Sequence, residues 1–398
     1  MTPWLHIVGL GAAGEESLSS ATRAVVADAE VILGGARHHG LCGNTTAERL
    51  AWPSPFDAMI DTLLAHRGRR VVVLATGDPL WYSVGARIGR EIPVSEITYH
   101  PQVSAFQLAS ARMGWSLADV ETLTVHGRPA EQVLRFVEPG ARLLLLTAGS
   151  ETPGQIAALL RDRGYGAARM TVLAHMGGAE EARFDGLAES WDAEVPAFHT
   201  LAVECIAGPE AQVLPRIGLP DDAFVHDGNF TKQELRALTL AKLMPMRGQL
   251  LWDIGSGCGS VGVEWMRGAR DARAIGIEPR ADRRALAAEN ALRLGAPRLH
   301  LVEGRAPEAL SGLAEPDAVF IGGGVSEATV TQAWAALKPF GRLVANAVTL
   351  ESEALLARMQ ADLGGDLVRI SVARMAPVGR LRGWKPQMGV TQWSVLKR

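Results

Sequence analysis

Apolar residues in this chain gather in short unbroken runs, among them Val31-Ile-Leu33, Val71-Val-Val-Leu-Ala75 and Leu250-Leu-Trp252. Runs of that kind read as strands covered on both faces, as in a parallel sheet. Others fall at Thr122–Val125, Arg142–Thr147, Met170–Ala174 and Thr200–Ile206, and helical patterns such as Ala105–Met113 lie between them. Past residue 224 the runs Arg273–Ile277, Leu299–Val302, Ala318–Ile321, Gly341–Asn346 and Trp393–Leu396 continue the alternation, with a helix predicted over Asp282–Leu294. The predicted class is α/β throughout.

Between the two series, Ala207-Gly-Pro-Glu210 and the proline-spaced Leu214–Asp222 read as a linker. A chain of 398 residues exceeds what one hydrophobic core serves. The expected layout is a domain over 1–205, a linker over 206–223 and a second domain over 224–398. Just past the linker, Thr231 is placed to cap a helix, with Glu234 completing a capping box.

The chemistry is expected where the runs end. Leu250–Ile254 passes through Asp253 into Gly255-Ser-Gly-Cys-Gly259, a strand, tight turn and helix start. Glycines there allow positive φ and close approach of a ligand to the backbone, and the helix beginning near Ser260 aims free N–H groups at it. Glu278 closes the next strand, placed to accept hydrogen bonds from both ribose hydroxyls of an adenosine. In the first half, Gly77-Asp-Pro79 follows a buried strand, Tyr82-Ser83 lies behind it, and Pro101–Ser104 opens a helix. Gly9, Gly11 and Gly14 match a dinucleotide fingerprint in spacing alone. The acid that should close the second strand is missing there, because Asp28 and Glu30 precede Val31–Leu33. NAD and FAD are discounted on that ground.

Composition removes some classes. A net charge of −3 gives no reason to expect nucleic acid, and no apolar run approaches the roughly 20 residues of a membrane span. A cytoplasmic enzyme is expected. Cys42, Cys205 and Cys258 are too few and too scattered for a disulfide framework or a zinc knuckle, and no metal site is expected. Only five of the 40 basic residues are lysines. Coding bias accounts for this, or else some arginines clamp carboxylates in bidentate fashion.

Together these motifs resemble two families. Residues 1 to about 205 resemble the tetrapyrrole methylases, through Val8-Gly-Leu-Gly11, Gly77-Asp-Pro79, Tyr82-Ser83, Pro101-Gln-Val-Ser104 and His126-Gly-Arg128. One departure is Ala13-Gly-Glu15, where many tetrapyrrole methylases carry Gly-Asp-Pro. Residues from about 224 onward resemble the decarboxylating precorrin methyltransferases, through Phe230-Thr-Lys232 with Glu234 and Arg236, Asp253–Gly259, Glu303–Glu308 and Gly322-Gly-Gly324. The resemblance implies a class III methyltransferase fold followed by a class I Rossmann-like one. It implies S-adenosylmethionine in each domain, methylation of carbons 5 and 15 of a precorrin, and loss of carbon dioxide from the ring-C acetate, in cobalamin biosynthesis. It also implies a homo-oligomer, tetrameric through the C-terminal domain.

The residues expected to hold the methyl donor are Gly9, Gly77, Asp78, Tyr82, Ser83 and Ser104 in the first domain. In the second they are Thr231, Gly255, Ser256, Gly257, Cys258, Gly259, Glu278, Arg305 and Ala306. His126, Arg374, Arg380, Arg382 and Lys385 are candidates for the carboxylated macrocycle, and Asn346 for orienting the acetate during catalysis. Blander readings stand beside these. Asp78 caps a turn, Asp253 fixes the glycine loop, Arg305 is a surface charge, Cys258 is a small loop residue, and His38 and His39 are loop residues and not ligands. A tetrapyrrole reductase using NADP and a nucleotide-sensing module are the rival functions.

Overall fold

The computed structural model describes residues 3–398, so the first two positions of the N-terminal domain lie outside the described residues. The chain forms two compact units, one of residues up to Ala130 with Phe136–Ala211, the other of Gln212–Arg398 with Glu131–Arg135. In the first unit, β1 (Leu5–Leu10), β2 (Val31–Leu33), β3 (Glu48–Leu50), β4 (Val71–Thr76) and β5 (Ile97–His100) make a wholly parallel sheet in the order β3-β2-β4-β1-β5. Successive side chains of a strand point to opposite faces, which is why these strands are apolar without a break. Leu5, Ile7, Val71 and Val73 fill one core, while Val8, Leu10, Val72 and Leu74 fill another.

A second sheet of this unit holds β6 (Glu121–Thr124), β7 (Arg142–Leu146), β8 (Arg169–Ala174), β9 (Ala182–Leu187) and β10 (His199–Glu204) in the order β6-β7-β10-β8-β9. Only β6 and β7 are parallel; the other pairs are antiparallel.

The second unit is a seven-stranded sheet. Its strands β11 (Leu250–Ile254), β12 (Arg273–Ile277), β13 (His300–Val302), β14 (Ala318–Ile321) and β15 (Arg342–Ala347) are parallel. After β16 (Asp366–Ile370) comes a separate ribbon of β17 (Ala373–Val378) and β18 (Leu381–Pro386), then β19 (Val390–Leu396). The order is β13-β12-β11-β14-β15-β19-β16, with β19 antiparallel to both neighbours. Trp252, Ile254 and Leu343 pack one face, and Leu251, Trp265 and Phe320 the other.

The proline-spaced stretch packs into the second unit: Leu219 is fully buried, and the N–H groups of Gly218 and Leu219 donate to Glu264 at 2.6 and 3.1 Å. Irregular backbone can be buried only where its polar groups find partners, and charged side chains of the sheet's first helices supply them. The helix after it runs Gln233–Leu243, and no side chain of its own start caps it. Asp221 accepts the Gln233 N–H at 2.9 Å instead, so Thr231 and Glu234 form no capping box.

Candidate functional sites

In the first unit β1 and β4 are neighbours, so their carboxyl ends bring Gly9 and Gly77 together. A Cβ on Gly9 would stand 2.0 Å from the Gly77 carbonyl oxygen and 2.9 Å from Gln102 Cβ. Gly77 has φ +61°, and a Cβ on it would lie 3.1 Å from Ser104 Cα. Three motifs far apart in sequence thus meet as bare backbone, the surface a nucleoside needs for close approach. Ser104 is buried and caps helix Ala105–Met113 in a capping box with Gln107. Asp78 accepts the Leu80 N–H at 2.7 Å, the turn-capping role named above. Tyr82, at φ +52°, donates its hydroxyl to Thr122 O at 3.0 Å, which ties this loop to the second sheet. Ser83 is the N-cap residue of helix Val84–Glu91, without a side-chain capping bond. His126 is exposed just past β6.

Gly11 and Gly14 close a tight turn that leads into the single turn Glu15–Ser17. A dinucleotide fingerprint would open a long helix there, and it does not. His38 and His39 lie on helix Ala36–Leu41 and not in a loop. Their rings diverge, His38 Nε2 to Thr76 Oγ1 and His39 Nε2 to Leu50 O, both at 2.9 Å. Burial, helped by the Arg37 and His39 charges, pushes the His38 imidazole down to about 4. His38 therefore stands neutral beside Thr76-Gly77, a neighbour that sequence reasoning did not assign to the site.

In the second unit, Gly255, Gly257 and Gly259 have φ of +72°, +56° and +78°, and helix Ser260–Gly268 starts from the last of them. A Cβ on Gly255 would lie 3.0 Å from the Gly323 backbone, so the turn rests against Gly322–Gly324 at the end of β14. Glu278, buried at the end of β12, accepts from Gly257 N at 3.0 Å and Arg280 N at 3.1 Å. Because β12 pairs with β13, the turn carrying Arg305 and Ala306 lies next to Glu278; Arg305 is exposed and Ala306 half-buried.

Asp253 sits beneath the turn. Its Oδ2 accepts the Gly262 N–H at 2.9 Å, while Oδ1 is buried without a partner. Desolvation pushes its carboxyl up to about 7, and the Glu278 charge adds to this. Asp253 therefore anchors the helix behind the turn and not the turn itself. Burial likewise raises the Cys258 thiol to about 11, which rules it out as a thiolate nucleophile at neutral pH.

A strap of residues 226–232 borders the turn, with Asn229 O 3.9 Å from the point a Gly257 Cβ would occupy. His226 stacks on Phe230 at 4.2 Å between ring centroids, and Lys232 Nζ lies 3.8 Å over that ring. Thr231 offers its carbonyl to Arg236 at 2.6 Å. Asn290 was missed by sequence reasoning: fully buried, it donates to Val225 O and Cys258 O and accepts from Val225 N, joining strap to turn. A polar residue on the apolar face of a helix was its only signal.

Asn346 lies at the carboxyl end of β15, two strands from β11, where its Nδ2 donates to Thr239 Oγ1 at 3.2 Å and its Oδ1 accepts from Gln392 at 3.0 Å. Arg380, Arg382 and Lys385 are exposed on the ribbon, as is Trp384. Arg374 is not free, because Glu234 holds its guanidinium in a bidentate pair.

The residues fit S-adenosylmethionine: two cradles that a Cβ would fill, one next to a buried acid at a strand end. Known proteins resemble the chain in both of its halves. A family model described as precorrin methyltransferase domain matches residues 222–397, and one described as tetrapyrrole (corrin/porphyrin) methylases matches residues 4–191. The chain is 45% identical over 401 residues to the precorrin-6Y C(5,15)-methyltransferase (decarboxylating) of a Sinorhizobium species, covering 100% of this chain and 97% of that one. It is 39% identical over 399 residues to the protein of the same name from Mycobacterium tuberculosis, covering 98% and 99%. Among solved structures, the C-terminal domain of precorrin-6Y C5,15-methyltransferase from Rhodobacter capsulatus is 51% identical, covering 46% of this chain and 100% of that one, with a TM-score of 0.44. Matched from end to end by such relatives, and with a methyltransferase model on each half, the chain belongs to the precorrin-6Y C(5,15)-methyltransferase (decarboxylating) family.

Proposed function

We propose that this chain methylates carbons 5 and 15 of precorrin-6Y and removes carbon dioxide from the ring-C acetate, binding one S-adenosylmethionine in each unit. The observation that carries this is the pair of bare-backbone cradles, Gly9 against Gly77 and Gly255 against Gly323, on separate sheets of one chain. The donor supplies a methyl group on a sulfonium. Transfer to carbon is an in-line displacement, so the protein's work is to hold acceptor and donor about 3–3.5 Å apart and keep water out.

In the C-terminal unit the turn Gly255–Gly259, with Ser256, Cys258 and the N–H groups opening helix Ser260–Gly268, binds the donor. Glu278 takes the ribose, Thr231 closes one side, and Arg305 with Ala306 flanks the adenine. In the N-terminal unit Gly9, Gly77, Asp78, Tyr82, Ser83 and Ser104 do the corresponding work, with His126 near the macrocycle. Arg380, Arg382 and Lys385 hold substrate carboxylates, and Asn346 orients the acetate. Decarboxylation is assigned to the C-terminal unit, where the conjugated macrocycle with a protonatable imine is its own electron sink.

Among the described residues no helix is long and apolar enough to cross a membrane. A cytoplasmic homo-oligomer, tetrameric through the C-terminal unit, completes the reading.

Titration with S-adenosylhomocysteine tests the proposal. Two equivalents bound per chain, with conversion of precorrin-6Y to a doubly methylated, decarboxylated product, is the expected result. Uptake of a nicotinamide nucleotide in place of the methyl donor would sink it.

A further inference from the structure

The ribbon β17–β18 pairs with no other strand among the described residues, and Arg374 at its root ties it to the body of the unit. Arg374 donates from Nε to Glu234 Oε1 at 3.1 Å and from Nη2 to Glu234 Oε2 at 2.6 Å, and Nη2 lies 3.0 Å from Asp221 Oδ2. Both carboxylates serve the start of helix Gln233–Leu243. Glu234 is in its first turn, and Asp221 caps the Gln233 N–H. Asp221 Oδ1 also accepts from Arg236 Nη1 at 3.3 Å, and the same nitrogen donates to Thr231 O at 2.6 Å. Thr231 belongs to the strap that borders Gly257. A continuous series of charge-assisted contacts therefore runs from the ribbon to the edge of the donor's turn.

The other ribbon cations differ. Arg380, Arg382 and Lys385 have no ion-pair partner among the described residues and stand exposed, as groups waiting for anions do. Arg374 alone is committed to the protein's own carboxylates. Arg236, at the next step, is fully buried and pinned by Glu264 at 2.5 Å, so it cannot absorb a displacement by swinging aside. A displacement of the ribbon that acts on Arg374 therefore bears on the helix start and, through Arg236, on the strap.

We propose that Arg374 is a positioning residue: it transmits capture of the macrocycle's carboxylates by the ribbon to the strap over the donor, so that each ligand tightens the other. This rests on the substrate and donor sites proposed above. Coupling of this kind is reciprocal and is typically about fivefold or more. Lysine keeps the charge but cannot reproduce the two-pronged pair.

The test uses the full chain carrying Gly9→Ala, so that one donor site is read. The dissociation constant of S-adenosylhomocysteine is measured with and without precorrin-6Y. Expected is a tightening of about fivefold or more in this parent, falling to no change in Arg374→Lys and in Glu234→Gln. The swap Arg374→Glu with Glu234→Arg should restore it. A purely structural tie would lower the melting temperature and leave the ratio alone, so an unchanged ratio in Arg374→Lys overturns the proposal. So does a parent that turns over precorrin-6Y without any tightening. A parent that binds no S-adenosylhomocysteine at all overturns the function proposed above, and this inference with it.

Discussion

Asp253 and Gly262 are fitted to each other: the buried carboxyl oxygen accepts the Gly262 N–H at 2.9 Å, and a Cβ on Gly262 would stand 3.1 Å from that same oxygen. The contact fastens the helix behind the glycine turn to the central strand. It also buries an acid with one oxygen unpartnered.

That acid gives the stability a pH dependence. Its folded-state value of about 7 lies above the ordinary 3.8, so the folded chain keeps a proton that the unfolded chain releases between those values. The stabilisation is full below the lower value and is lost as pH rises through the higher one, at no more than about 1.4 kcal/mol per pH unit. Asp253→Asn should remove this component. Urea unfolding of both proteins from about pH 5 to about pH 8 should show wild type losing ground to the variant across the window. Parallel curves would count against a protonated Asp253.

A methyl group at Gly9 meets the Gly77 carbonyl at 2.0 Å, with backbone on both sides and no side chain to swing away. Gly9→Ala should abolish donor binding in the N-terminal unit and leave the C-terminal site working. The expected product carries one methyl group fewer, visible by mass spectrometry. Wild-type double methylation by this variant would remove the first cradle from the proposed function.

Glu278→Gln keeps the shape and can still accept the Gly257 N–H, but loses the charge. Hydrogen bonds to a charged acceptor contribute about 1.5–3 kcal/mol, so affinity for S-adenosylhomocysteine at the C-terminal site should fall about 10- to 100-fold. Calorimetry on the full chain reads this as one weakened site of two. If neither site weakens, Glu278 serves only the turn.

Glu264 and Arg236 are both fully buried, and Glu264 also receives the Gly218 and Leu219 N–H groups. Glu264→Ala leaves Arg236 Nε and the two amides without their acceptor, although Asp221, Thr231 and Leu219 still hold the rest of the guanidinium. Breaking such a pair costs about 3–5 kcal/mol, and denaturant unfolding followed by tryptophan fluorescence should show it. A cost under about 1 kcal/mol would mean that solvent reaches the pair.

Cys258 lies in the turn with its thiol held near 11. Cys258→Ala should retain donor binding and turnover, and alkylation of this thiol at neutral pH should be slow. Loss of turnover with binding intact would assign it a chemical role that its geometry does not suggest.

What the sequence made legible was local. Gly255–Gly259 and Gly9 announce themselves because only glycine tolerates those backbone positions, and the acid at position 278 follows from where an apolar run stops. What it hid was non-local. Asp221 caps a helix that begins twelve residues later, Asn290 reaches the strap from another helix, and Arg374 spends its charge on Glu234. Such pairings have no period or spacing to betray them. The stretch before Asp222 shows the same limit, since its prolines signal irregular backbone but not that Glu264 would pin it inside.

The interior place of Val390–Leu396 between β15 and β16 also orders events during synthesis. Until those seven residues have left the ribosome, both neighbouring strands present open edges, the kind that recruit the wrong partner. The glycine turn at Gly255 precedes those residues in the chain, yet the sheet that carries it closes only when Val390–Leu396 inserts between its neighbours.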